Sequence, residues 1–312
     1  MGAMHLLFRL TVETDDVVLL EEFSFGGTKK NMRLCGGELV GLKMDEQGIR
    51  TDDLKDALTR WQQRVSVASG RKLRKPRLLY TVPTGHNPTG VTTSFERKKE
   101  IYKIAQEHDL LIIEDDPYFY LQYSEDFVPS YQSLDTDGRV IRLDSMSKLA
   151  APGFRVGWVT GPDAIIREIV AAQTCCSISI SSLTELAIMK LFDHWGMDGF
   201  HQHINYLRDF YQKLRDRTEQ MMHELLTDLI EWKSPEAGLY IWAKLKNNQN
   251  SLIFADMEFC EKHDVFVVPG VDFSCDLNNA TSYFRICFTY TNQQEEAIKR
   301  LRNLVVDINA RQ

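Results

Sequence analysis

The sequence predicts an α/β protein: a mostly parallel sheet covered by helices, with a smaller α+β domain at the C-terminal end. Three observations predict it. Short, wholly apolar runs alternate with amphipathic helical stretches through the first half, which marks strands buried on both faces. Beyond Leu226 the grammar changes to a shorter mixture of strands and helices. The chain has 312 residues and 43% hydrophobic content, enough for about two domains. We read residues 1–225 as a large domain ending in a long interdomain helix, and 226–312 as a small domain.

The elements follow in order. Val17 to Leu20, Glu38 to Lys43, Arg77 to Val82, Leu110 to Glu114, Val140 to Leu143 and Val156 to Val159 read as strands. Between them lie helices at Thr51 to Arg64 and Ser94 to His108, the second with Ser94 at its N-cap. A long helix covers roughly Gly199 to Leu226. Strands at Leu239 to Leu245, Val265 to Val268 and Tyr283 to Phe288 then alternate with helices at Ser251 to His263 and Asn292 to Asn309.

Net charge is −7, which argues against phosphate-backbone binding and so against a nucleic-acid partner. The one basic cluster, Arg71 to Arg77, reads as a solvated loop. No run approaches the roughly 18 apolar residues that span a bilayer, so no membrane is expected. Met1 to Leu10 has neither a basic start nor a small-residue cleavage site, and makes a poor signal peptide. The six cysteines form no Cys-x-x-Cys and no zinc spacing, so they read as reduced thiols with no metal site. These features together lead to the expectation of a cytoplasmic protein.

Ligands of an open α/β sheet bind beyond the carboxyl ends of its strands. The strand ending at Val82 is followed by Pro83-Thr84-Gly85-His86-Asn87-Pro88-Thr89-Gly90, and the strand ending at Glu114 by Asp115-Asp116-Pro117-Tyr118. Asp144-Ser145-Met146-Ser147-Lys148 follows Leu143, and Pro152-Gly153-Phe154-Arg155 leads into the next strand. Four strand ends thus offer an amide, a carboxylate, a phenol, hydroxyls, a lysine and an arginine, more than turn chemistry requires.

Asn87-Pro88-Thr89-Gly90, Asp115-x-x-Tyr118, Ser145-x-Ser147-Lys148 and Arg155-x-Gly157 resemble the motif series of the class I aminotransferases of fold type I. Tyr80-Thr81-Val82-Pro83, Ile113 to Tyr118, and Tyr283-Phe284-Arg285 resemble the branch holding the kynurenine/2-aminoadipate and fungal-type aromatic aminotransferases. The resemblance runs along the whole chain. It implies the fold type I architecture of pyridoxal-phosphate transferases, a homodimer, and amino-acid and 2-oxo-acid substrates. It also implies that the chain starts at an internal methionine, after a Gly-Ser-rich phosphate loop and a partner-reaching tyrosine that the family carries upstream.

On this resemblance Lys148 holds pyridoxal 5′-phosphate as a Schiff base and, once freed, moves the proton at the substrate α-carbon. Asp115 pairs with the pyridinium nitrogen, and Asn87 and Tyr118 hydrogen-bond the ring hydroxyl oxygen. Ser145, Ser147 and Arg155 hold the phosphate, the arginine as a planar charged fork. Arg285, with Asn87, binds the substrate carboxylate. Phe25 stands where the branch often has tyrosine and keeps the stacking on the ring without the hydroxyl.

Plainer roles compete for several of these residues. Asn87-Pro88 is also a turn signal, and Arg155 and Arg285 could be ion-pair residues of the framework. Asp116 reads as a surface or capping carboxylate, and His86 as loop structure rather than a base. The leading function is transfer of an amino group from an aromatic, 2-aminoadipate or similar amino acid to 2-oxoglutarate. The alternatives are a lyase or synthase on the same fold, a pyridoxal-phosphate-sensing domain of a regulator, and an inactive relative.

Overall fold

Residues 1–65, 72–276, 280–289 and 293–310 are described by a computed structural model. The first half runs α1 (Gly2–Thr11), β1 (Asp16–Glu21), α2 (Gly26–Leu34), β2 (Glu38–Leu42), a small hairpin of β3 (Met44–Asp45) and β4 (Gly48–Ile49), α3 (Thr51–Arg64), β5 (Arg74–Thr81), α4 (Phe95–His108) and β6 (Leu111–Asp115). It continues with β7 (Val140–Ser145), β8 (Gly157–Thr160), α5 (Asp163–Ser177) and α6 (Ser182–Leu225). The remainder is β9 (Ile230–Trp232), β10 (Tyr240–Leu245), α7 (Met257–His263), β11 (Val268–Pro269), β12 (Tyr283–Cys287) and α8 (Gln294–Ala310).

The large sheet has the order β2-β1-β5-β6-β7-β8, and all its neighbours are parallel except β7 and β8. Successive strand residues point to opposite faces, and the core divides accordingly. Val17 and Leu19 of β1 pack with Leu54, Ala57 and Leu58 of α3 and Ile101 and Ile104 of α4. Val18 and Leu20 pack on the other side with Met4, Leu7 and Phe8 of α1. The C-terminal sheet, order β11-β12-β10-β9, is antiparallel throughout. Its face of Ile241, Ala243, Phe284 and Ile286 is covered by Ile298, Leu301 and Val305 of α8.

Local chemistry sets several boundaries. Ser94 caps α4, its hydroxyl accepting from the Arg97 amide at 3.2 Å. Asp256 caps α7 by accepting from the Phe259 amide at 3.1 Å, and so divides the stretch expected to be one helix from Ser251. The long helix begins at Ser182, well before Gly199, and is broken at Gly196 with φ +55°. The strand expected at Val265 to Val268 shrinks to Val268–Pro269. The basic cluster is not only loop: Arg74, Lys75 and Arg77 belong to β5, and Arg71 lies outside the described residues.

Candidate active site

The turn after β7 carries Ser147 and Lys148, and hydrophobic burial fixes it. Met146 and Leu149 are buried with Ile204 of α6, and the Leu149 carbonyl lies 2.6 Å from His203 Nε2. Alternate residues of the turn therefore face away from that core, and Ser147 donates its amide to Ser145 Oγ at 3.1 Å. The antiparallel pairing of β8, with Ser145 opposite Gly157, returns the chain to the same sheet end and brings Arg155 back beside the serines. Arg155 sits at φ +54° and donates from Nη1 to Pro152 O at 2.9 Å.

Asp115, Ser145, Ser147 and Arg155 border one cavity of about 430 Å³, together with the first residues of α1. The helix therefore presents its N-terminal end, with free backbone N–H groups, to the same space as the two serines and the arginine. Asp115 ends β6, and its Oδ2 accepts from the buried Tyr80 hydroxyl at 2.6 Å. Burial is the largest influence on this carboxyl and pushes it up to about 6, against the Tyr80 bond, which lowers it. Lys148 is half-buried and has no hydrogen-bond partner among the described residues.

A second group forms where the two sheets meet. Arg285 on β12 donates from Nη1 to Asn87 Oδ1 at 2.8 Å. Its guanidinium lies over the Tyr240 ring at 4.2 Å and the Phe273 ring at 5.0 Å. Nε of Arg285 is buried without a partner, and no carboxylate pairs with this arginine among the described residues. Tyr118 is buried edge-on to Tyr240 at 6.1 Å and feels both Asp115 and Arg285 electrostatically, so it links the two groups. Burial, Tyr240 and Asp115 hold its phenol well above the usual range, with Arg285 opposing.

The Asn87 loop meets the segment before β10 through a contact without side chains. Gly85 (φ +50°) and Gly238 (φ +78°) meet backbone to backbone, and a Cβ on Gly85 would stand 2.5 Å from Gly238 N. Only glycine fits either position.

The structure departs from the sequence reading in detail. Asp116 is neither surface nor cap: it is wholly buried and accepts from Arg142 Nη1 at 3.1 Å and Thr84 Oγ1 at 3.2 Å. Arg142 also pairs with Asp144 at 2.8 Å and lies 3.5 Å from Glu114, a network behind the cavity that the sequence reading missed. Asp115, not Asp116, borders the cavity. His86 is buried with Nδ1 2.8 Å from Thr89 Oγ1 inside its own loop. Phe25 lies outside the cavity lining, 41% exposed, with its ring against Gly27. Tyr80 and Tyr240 belong to the two groups but were not singled out individually. Tyr80 stands in the Tyr80-Thr81-Val82-Pro83 motif, whereas Tyr240 has no signal beyond its place in a strand.

The donor set fits a phosphorylated pyridine aldehyde. A half-buried carboxylate with one oxygen engaged borders a space lined further on by two hydroxyls, a guanidinium and a helix N-terminus. A half-buried lysine without a partner follows in the same turn.

This fold and site define a pyridoxal-phosphate-dependent transferase. The chain belongs to the aminotransferase class I and II family, whose family model matches residues 2–301. It is similar to kynurenine/alpha-aminoadipate aminotransferase, mitochondrial, of Mus musculus, 38% identical over 300 residues that cover 96% of this chain and 70% of that protein. Among solved structures it is similar to Pyrococcus horikoshii kynurenine aminotransferase in complex with PMP, with TM-score 0.87, 29% identity, and coverage of 98% and 73% of the two chains. The aromatic aminotransferase Aro9 from C. albicans gives TM-score 0.89 and 28% identity, covering 99% of this chain and 72% of that one.

The cytoplasmic expectation is corrected by these relatives. The mouse protein and its counterparts from Bos taurus and Rattus norvegicus are mitochondrial. The unpaired cysteines do not by themselves select the cytoplasm.

Proposed function

We propose that the chain transfers the amino group of an aromatic or 2-aminoadipate-type amino acid to 2-oxoglutarate, with pyridoxal 5′-phosphate held on Lys148. The observation that carries this reading is Arg285: a guanidinium between two aromatic rings, bonded to Asn87, with no carboxylate partner among the described residues. Such a fork accepts the carboxylate common to amino acids and 2-oxo acids, and the flanking rings suit an apolar or aromatic body. The similarity to kynurenine/alpha-aminoadipate and aromatic aminotransferases supports the substrate class and a mitochondrial location.

When bound, pyridoxal 5′-phosphate supplies an electron sink that makes the α-carbon proton of an amino acid labile. Ser145, Ser147 and Arg155 would hold its phosphate, Asp115 would hold a proton on its ring nitrogen, and Asn87 and Tyr118 would bond its ring oxygen. Phe25 stands outside the cavity lining, with its ring against Gly27. Arg285 orients the substrate by its carboxylate, and the amine of Lys148 takes and returns the α-carbon proton.

We place the domain boundary between Leu225, the end of α6, and Leu226. A homodimer accounts for Val170, Ile178, Leu183, Leu186 and Met189 of the α5–α6 region, all large and exposed. The test is an assay of the purified chain for glutamate formation from 2-oxoglutarate, with tyrosine, kynurenine, 2-aminoadipate and aliphatic amino acids as donors. The expected result is turnover with the first three. Turnover with aliphatic donors alone overturns the substrate assignment.

A further inference from the structure

Tyr80 begins the Tyr80-Thr81-Val82-Pro83 run, which the reaction as described leaves without a role. Its side chain is wholly buried, with its ring edge-on to Phe8 at 6.0 Å. Its hydroxyl stands between Asp115 Oδ2 at 2.6 Å and Thr28 Oγ1 at 3.4 Å. The short contact fixes the proton: the phenol donates to the carboxylate and can accept from the threonine. One oxygen of Asp115 is thereby engaged inside the core, and Oδ1 is the oxygen left for the cavity that Asp115 borders.

We propose that Tyr80 is a positioning residue for the cofactor: by holding Asp115 Oδ2, it aims Oδ1 at the ring nitrogen and keeps the carboxyl charged. The proposal rests on the reading of Asp115 as the partner of that nitrogen.

The electrostatics of the site explain why such a donor is needed. Burial alone drives a carboxyl towards its neutral form. Among the charges around Asp115, Asp144 from β7 raises it, and Glu21 from β1 lies within electrostatic reach. Tyr118, which follows β6, is a neutral phenol with no charge to offer, and the Met1 amino group before α1 is a lowering influence. The Tyr80 bond is the largest influence on the lowering side. A charge-assisted O–H donor at this distance opposes protonation directly. Without it the carboxyl would rise above its value of about 6 and take up a proton near neutral pH, losing its hold on a protonated ring nitrogen.

The test is Tyr80→Phe, which removes the hydroxyl and keeps the ring against Phe8. Binding of pyridoxal 5′-phosphate to the whole chain is followed by equilibrium dialysis and visible absorbance across a pH series. Asp115→Asn and the double variant are measured alongside. The expected result is affinity close to the parent in the alkaline range, with the acid-side loss beginning about one pH unit higher in Tyr80→Phe. The double variant should bind no worse than Asp115→Asn alone, because the hydroxyl acts only through the carboxylate. A Tyr80→Phe profile that superimposes on the parent, while Asp115→Asn binds weakly, overturns the proposal and leaves the role of Asp115 standing. An Asp115→Asn variant that binds like the parent overturns the reading of Asp115, and the proposal with it.

Discussion

Arg285 of the C-terminal sheet donates to Asn87 of the loop after β5 at 2.8 Å, a bond that crosses from one sheet to the other. It ties the proposed carboxylate clamp to the proposed cofactor loop, so the clamp moves without the loop only by giving up that bond.

Arg285→Ala is expected to raise KM for the amino acid and the 2-oxo acid alike, because both present a carboxylate to one guanidinium. Loss of a desolvated charged contact costs roughly 2–5 kcal/mol. Arg285→Lys should restore little of it, since an ammonium cannot form the planar fork. Steady-state kinetics with each substrate varied in turn decide the matter. A rise confined to one substrate would mark Arg285 as a side-chain specificity residue.

Lys148→Ala is expected to abolish transamination and the visible band of the bound cofactor, with the fold unchanged by circular dichroism. The side chain is half-buried without a hydrogen bond among the described residues, so its loss breaks no polar contact there. Turnover at the parent rate would sink the assignment of the lysine.

Arg142→Ala is expected to destabilise the protein by about 3–5 kcal/mol, because Asp116, Asp144 and Glu114 would lose the cation that faces them in a buried site. Denaturant unfolding measures it. Surface-level losses below about 1 kcal/mol would show that the network is effectively solvated.

Glu21→Gln addresses stability against pH. Burial raises the Glu21 carboxyl from 4.5 to about 7. The native state therefore binds this proton more tightly than the unfolded chain, and stability falls as pH rises from about 4.5 through 7. Glutamine keeps an oxygen for the Thr81 hydroxyl and the Val82 amide, which now bond Glu21 Oε1 at 2.6 and 2.9 Å, and has no proton to lose. The variant should show a shallower fall over that window and a gain of about 2–3 kcal/mol above it. Parallel slopes in the two proteins would refute the buried-acid account. Part of the fall remains in the variant, because burial raises Asp116 as well.

Much of this architecture was legible because apolar runs and caps act locally. The strands from Val17 to Leu143 and the Ser94 cap follow from side chains that bury or bond within a few residues of where they stand. What escaped depends on partners far along the chain. The sheet is mostly parallel as expected, but an apolar run does not say which way its neighbour points, so the antiparallel direction of β8 has no signal in the sequence. The first turns of α6 escaped because Gly196 and Gly199 punctuate the run, and the helix is indeed broken at Gly196. Of the cofactor candidates, Asp115, Ser145, Ser147 and Arg155 converge on one cavity; Asn87, Tyr118 and Arg285 form the neighbouring group; Phe25 stands apart. Motif spacing could suggest the first two sets. It carried no trace of Tyr80 reaching Asp115 across 35 positions.

The meeting of Gly85 and Gly238 sets a dimension of the site. Two main chains in contact have a fixed thickness, whereas a pair of side chains would change spacing with every rotamer. The distance from the Asn87 loop to the strand that carries Tyr240 is thus gauged by peptide units alone. A methyl group added at either glycine would act as a shim, widening the gap that the Asn87–Arg285 bond spans and loosening both of its ends at once.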